Sequence, residues 1–239
     1  MEQKIFLEIL KRELKEINID ISDDKANKLY LYMKLLIEWN DKINLTAIIE
    51  PNEIITKHFV DSLTVLKYLN KNNKIVDCGT GAGFPGIPLA IVKDDCEFVL
   101  FDSLNKRIVF LNDVISKLQL KNVKTIHSRA EDLAENKSYR ESFDVAVSRA
   151  VANMSTLLEY LLPFCKNGGN AICMKGNNIE EELKNCKNAL SILNGKVKKI
   201  DTFCLPFTDY KRNIIIVKKG NNISNKYPRK QGKPAKEPL

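Results

Sequence analysis

The segment Asp77-Cys78-Gly79-Thr80-Gly81-Ala82-Gly83-Phe84-Pro85-Gly86 constrains this chain more than any other. It closes the short apolar run Lys74–Cys78 with a glycine-rich turn and passes into helix-compatible sequence, the pattern of a buried parallel strand feeding a helix. Glycines tolerate positive φ, so the chain can turn tightly and admit a ligand to the helix N-terminus. Gly81, Gly83 and Gly86 satisfy G-x-G-x-x-G, which keeps a nicotinamide or flavin dinucleotide open as a ligand. A P-loop is excluded, because no Gly-Lys-Ser/Thr follows. Asp77, two residues before the first glycine, favours S-adenosylmethionine. It can reach the cationic amino-acid end of that donor directly or through turn amides and water, and it would repel a pyrophosphate. Asp102, 25 residues on at the end of the next strand-like run, can accept both ribose hydroxyls of either cofactor. A tight turn with no ligand is the remaining alternative.

The rest of the chain sets this turn in a doubly wound α/β sheet. Strand-like runs at Glu97–Asp102, Val123–His127, Phe143–Ser148, Gly169–Lys175, Lys196–Thr202 and Asn213–Lys218 alternate with helical stretches at Pro85–Val92, Lys106–Leu118, Met154–Leu162 and Ile179–Leu193. With Lys74–Cys78 this predicts seven strands. Only a loop separates the last two, too short for a crossover helix, so they are expected to pair antiparallel. Residues 1–70 read as a helical extension. Phe6, Leu10 and Leu14 recur at helical spacing, Ser22-Asp23-Asp24 caps a long amphipathic helix, and Pro51 opens a third running toward Leu69. Trp39 sits on an apolar stripe and reads as core rather than a base-stacking platform. The three expected units are this extension, a cofactor-binding domain over 71–220, and a tail over 221–239.

Charge separates the tail from the body. From Lys218 onward seven basic residues face one acid, a net +6 out of the whole chain's +8. Such asymmetry points to a polyanionic partner, or to a solvated terminus that orders only on binding. Arg229, Lys230 and Lys233 are the candidate phosphate contacts. The six cysteines stand singly and the two histidines lie far apart, so reduced thiols and no structural metal are expected. No apolar run of membrane-spanning length and no secretory leader is evident, which predicts a cytoplasmic protein; a monomer is expected.

Three further segments fall at carboxyl ends of predicted strands, where such sheets bind ligands. Ser128-Arg129-Ala130-Glu131 lies where an adenine ring would sit, with the Ala130 amide and the Glu131 carboxylate able to read its edge; alone it is also an ordinary loop. Arg149 can contact a methionine carboxylate or an RNA phosphate, or pair with Asp144 or Glu141. His58 and Asp61, one helical turn apart, either face the cofactor mouth or RNA, or form a structural pair.

Taken together these stretches resemble the RsmG family of small-subunit rRNA methyltransferases, also called glucose-inhibited division protein B. The resemblance rests on Glu38-Trp39-Asn40 through Ile48, Lys57-His58-Phe59-Val60-Asp61-Ser62-Leu63, and Asp77 to Ala90. It continues through Phe101 to Arg107, Arg129-Ala130-Glu131, Ser148 to Ala152, Lys175-Gly176, and Tyr227-Pro228-Arg229-Lys230 with Gly232, Pro234 and Lys236. It covers nearly the whole chain. Lys57 departs mildly, standing where arginine is usual, which keeps charge but loses the bidentate fork. The resemblance implies a class I, Rossmann-like methyltransferase acting on guanine N7 at one position of 16S rRNA in the small ribosomal subunit, whose loss is linked in the family with low-level streptomycin resistance. It also implies donor contacts from Gly79, Phe84, Asp102, Ser103, Leu104, Ala130, Glu131 and Arg149, beside Asp77 and Gly81 of the turn. Lys57 and Arg149, with the tail cations, would face RNA.

The chemistry suits such a target. Guanine N7 is an in-plane lone pair bearing no proton, so attack on a sulfonium methyl needs alignment and no general base. Neither an Asn/Asp-Pro-Pro-Tyr clamp nor a Pro-Cys nucleophile, which serve other nucleobase methylations, occurs here. No residue is singled out as catalytic. Two rivals remain: a small-molecule enzyme on the same core, expected to carry a capping domain and neutral termini, and a non-catalytic RNA-binding protein, expected to lack Asp77 or Asp102.

Overall fold

The computed structural model describes residues 1–177 and 179–239. Helix α1 (Gln3–Glu16) and helix α2 (Asp23–Ile43) form an antiparallel pair at the N-terminus. Ser22 Oγ accepts from the Lys25 amide, and Asp23 and Asp24 lie in the first turn against the positive end of the helix dipole. The third helical stretch begins at Pro51 but does not run straight. It passes through a π-helical segment (Ile54–Val60), a short α-helical turn (Asp61–Leu63) and a 3₁₀ turn (Leu66–Tyr68). The broken winding turns Lys57, His58 and Asp61 toward the sheet.

Seven strands follow: β1 (Lys74–Cys78), β2 (Glu97–Asp102), β3 (Val123–His127), β4 (Phe143–Arg149), β5 (Cys165–Lys175), β6 (Gly195–Cys204) and β7 (Lys211–Lys219). Their order is β3-β2-β1-β4-β5-β7-β6, with β7 antiparallel to both neighbours and the other pairings parallel. The sheet is therefore the doubly wound one that the alternation predicts, with the expected antiparallel closing pair. Its winding reverses between β1 and β4, which leaves a crevice beyond their carboxyl ends.

Two apolar layers cover the sheet. One combines α1, α2 and the broken helix with helices Gly86–Val92 and Asn105–Lys117, so the N-terminal extension shares a core with the sheet. The other is built on Met154–Leu161 and the pair Ile179–Asn185 and Lys187–Ile192, where the sequence predicts one helix. Ile223, Tyr227 and Leu239 pack into this second layer. The terminal segment, for which the sequence leaves a solvated terminus open, is thus folded back on the body. Apolar anchors between its lysines supply the driving force that a purely polar segment would lack.

Candidate functional site

The turn after β1 is held from both sides. Tyr32 of α2 donates its hydroxyl hydrogen to the Ala82 carbonyl, and its ring packs against Phe84 with centroids 5.4 Å apart. Gly83 has φ +95°, and a Cβ there would lie 2.6 Å from the Tyr32 oxygen, so no larger residue fits. Below the turn Asp77 is fully buried, and its Oδ2 accepts from Thr80 Oγ1 at 2.6 Å and the Gly86 amide at 2.8 Å. Burial pushes its carboxyl up to about 6. Asp77 is therefore a brace beneath the loop and does not line the cleft. From this position Asp77 would act on a cationic ligand through the turn's amides, the second of the two routes that the sequence allows.

The cleft above the turn has a volume of about 510 Å³. Asp102 stands on its floor at the end of β2, 2% exposed. Its Oδ2 accepts from the Gly81 amide at 2.9 Å and its Oδ1 from the Leu104 amide at 2.9 Å, while Arg107 Nη1 approaches both oxygens at 3.1 and 3.2 Å. Gly79, Gly81, Phe84, Ser103, Ala130, Glu131 and Arg149 join it in the lining. Leu104 does not; its side chain is exposed and only its amide serves the site, through Asp102. Thr46, His58, Tyr160, Gly232 and Ala235 also line the cleft. Sequence reasoning missed Tyr160 and the last two as wall residues, since helix phase and long-range folding place them there and no local pattern does.

The expectations for Arg149 resolve onto a different partner. Asp144 pairs with Lys166, and Glu141 with Lys219. Arg149 Nη1 instead donates to Asp61 Oδ2 at 2.9 Å and to the Lys57 carbonyl at 3.0 Å. Its Nη2 faces His58 Nδ1 at 3.2 Å, and its guanidinium lies 5.1 Å from the Phe84 ring centroid. His58 stacks on the same ring, centroids 4.3 Å apart and planes 17° apart. Burial, reinforced by the Arg149 charge, lowers the His58 pKa to about 3, so the ring is neutral at neutral pH. Nδ1 then accepts from Arg149, and Nε2 donates to Thr46 Oγ1 at 3.1 Å. His58 and Asp61 do share a face, yet each bonds Arg149 rather than the other.

A second pocket of about 300 Å³ opens behind Arg149. Lys57, Lys175 and Arg212 line it with Arg149, and His58, Arg149 and Ala150 belong to both cavities. Arg212 Nε donates to Asp61 Oδ1 at 3.1 Å, so Asp61 clamps two arginines. Lys57 pairs with Glu53 and lies 4.5 Å from the Tyr210 ring centroid.

The tail cations divide. Lys230 and Lys233 are exposed, the latter in a loose surface pair with Glu237 at 3.6 Å. Arg229, expected to meet phosphate, is committed inward to Glu159 through its own amide, Nε and Nη2. A buried carboxylate requires such a partner, and that requirement outweighs solvent for the guanidinium.

A carboxylate at the end of β2, an acid beside the β3 turn and a glycine-rich loop after β1 fit an adenosyl amino-acid donor, and the fold with this cleft defines a class I, Rossmann-like methyltransferase. A family model described as rRNA small subunit methyltransferase G matches residues 25–215. The chain belongs to that family. It is 50% identical over 236 residues to the ribosomal RNA small subunit methyltransferase G of Clostridium perfringens (98% of this chain, 99% of that one). It is also 50% identical over 222 residues to the protein of that name from Acetivibrio thermocellus (92% and 91%). Among solved structures, a 16S rRNA (adenine(1408)-N(1))-methyltransferase from Catenulisporales acidiphilia superposes with a TM-score of 0.51 at 14% identity, covering 64% of this chain and 87% of that one, a likeness of fold alone.

Proposed function

We propose that this chain transfers a methyl group from S-adenosylmethionine to N7 of a guanine in 16S rRNA of the small ribosomal subunit. The observation that carries the reading is the junction at Arg149, where an adenosyl-sized cleft and a pocket lined by two arginines and two lysines share three residues. Family membership supports the RNA class of the substrate.

When bound, the donor supplies an electrophilic methyl on a sulfonium. The chain's own residues have three tasks. Asp102, held by two backbone amides and Arg107, presents an acceptor to ribose hydroxyls. Arg149, Lys175, Arg212 and Lys57 line the second pocket, paired there with Asp61, Glu182 and Glu53, and would share those contacts with the phosphates around an everted nucleotide. His58 lines both cavities and stacks on Phe84 of the donor cleft. A purine becomes cationic on N7 methylation, and a neutral His58 adds no like charge beside it. No proton has to leave the nucleophile, so alignment of N7 with the methyl carbon is the chemical contribution.

The deciding experiment is transfer of labelled methyl groups to small-subunit RNA followed by nucleoside analysis, with calorimetry against S-adenosylhomocysteine and NAD. Label in 7-methylguanosine and binding of S-adenosylhomocysteine alone are expected. Label in another nucleoside would overturn the acceptor, and binding of NAD alone would overturn the donor.

A further inference from the structure

Residues 221–239 form a strap that is fastened along its length and lends Gly232 and Ala235 to the cleft wall. Arg140 brackets its start, donating to the Tyr227 carbonyl at 2.8 Å and the Ile223 carbonyl at 3.1 Å. Glu159 fixes the middle. This carboxylate has no solvent exposure and accepts from the Arg229 amide at 2.7 Å, Nε at 2.9 Å and Nη2 at 2.7 Å. Thr156 Oγ1 donates to the carbonyl of buried Pro234 at 2.9 Å. Between these two anchors the chain turns at Gly232, φ +77°, and its amide donates to Glu131 Oε1 at 3.0 Å. Gly232 and Ala235 then face the cleft beside Glu131.

A carboxylate has two oxygens. With Oε1 taken by Gly232, Glu131 cannot turn about its last torsion without losing that bond. Among the described residues, no hydrogen-bond donor is seen for Oε2, while Glu131 lines the cleft and is nearly buried. Oε2 is thus an open acceptor of fixed direction at the cleft surface, which favours a ligand donor over a ligand acceptor.

We propose that the C-terminal strap is part of the donor site, and that the Gly232 amide makes it the element that selects a 6-amino purine by orienting Glu131 toward that amino group. This rests on the reading of the cleft as an adenosyl site. A 6-oxo purine would set its oxygen against Oε2, so the strap discriminates as well as encloses.

The test compares S-adenosylhomocysteine with its deaminated analogue S-inosylhomocysteine by calorimetry, on the full chain and on a chain ending after Lys230. The full chain should prefer the adenosyl ligand by at least about tenfold, as expected where a bound ligand would face a fixed carboxylate oxygen with an acceptor of its own. The shortened chain should lose adenosyl affinity by at least tenfold and inosyl affinity by much less, so that the preference largely disappears. A strap that only supports the fold would weaken both ligands equally, and that result, or no change, would overturn the inference. Should the shortened chain not fold, hydrogen exchange on the full chain decides. S-adenosylhomocysteine should protect the peptide containing Gly232 and S-inosylhomocysteine should not; equal effects would overturn it. If the full chain binds neither ligand, the adenosyl reading itself fails and takes this inference with it.

Discussion

Asp61 and Arg149, 88 residues apart in sequence, meet at 2.9 Å where the two cavities join, and Arg212 reaches the other oxygen of the same carboxylate at 3.1 Å. Only 3% of the Asp61 side chain meets solvent. Breaking a buried ion pair by removing one charge typically costs about 3 kcal/mol or more, because its partner stays buried and unpaired. Asp61→Asn should therefore lower the stability read from urea unfolding by about that amount. It should also reduce methyl transfer at least tenfold, since both arginines lose their register. A variant with wild-type stability and rate would mean that the two guanidiniums hold position without Asp61.

Asp102 offers a separable test of the donor site. Its oxygens satisfy the amides of Gly81 and Leu104 in addition to Arg107, so Asp102→Ala removes both a ligand acceptor and the brace of the glycine turn. S-adenosylhomocysteine should bind at least about tenfold more weakly, the equivalent of about 1.4 kcal/mol. Asp102→Asn, which keeps one acceptor, should fall between the two. Unchanged affinity in both variants would refute the ribose role.

The contrast between Asp102 and Asp77 marks how far the sequence could be read. Apolar runs ending in turns locate all seven strands, and the short last connection predicts the antiparallel β7, because strand pairing follows from local pattern and loop length. The same logic places Asp102 and Glu131 at carboxyl ends of the sheet. It does not say which way an acid points. Asp77 occupies the anticipated position and turns beneath the loop, where Thr80 and Gly86 compete for it. Arg229 shows the same limit at longer range. Its partner Glu159 lies 70 residues away on an apolar helix, so a basic terminal segment gives no sign that one of its charges is spent internally. A buried, acid-bearing position on the helical stripe of residues 154–161 was the one available hint.

His58 gives the stability a sign that can be checked. Burial and the Arg149 charge bring its pKa down to about 3, against about 6.5 in an unfolded chain. Between those values the unfolded chain binds a proton that the folded one refuses, so stability drops as pH falls through 6.5 toward 3, by up to about 1.4 kcal/mol per unit. Asp77 works in the opposite sense. Its carboxyl, raised by burial to about 6 from 3.8, holds an extra proton in the folded state between those values, and its contribution is lost as pH rises through 6. His58→Asn should leave the Asp77 slope alone, so the variant's urea midpoint should fall less than wild type between pH 7 and pH 5. Identical pH dependence would show that the ring protonates freely within the fold.

The lysines on the strap should act on RNA and leave the donor untouched. Lys230, Lys233 and Lys236 are exposed and absent from the cleft lining, while the backbone between them carries Gly232 and Ala235 into it. Replacing all three by alanine keeps the anchors at Arg229 and Pro234, so S-adenosylhomocysteine should bind as before. Each phosphate contact contributes about 0.7 to the slope of log K against log salt for single-stranded nucleic acid. Loss of all three should flatten that slope by about 2, measured by fluorescence anisotropy with a small-subunit RNA fragment between 50 and 200 mM salt, a range of about fourfold over which such contacts are released. An unchanged slope would place the RNA elsewhere on the protein, and weaker donor binding would mean that these side chains, rather than the backbone beside them, support the wall.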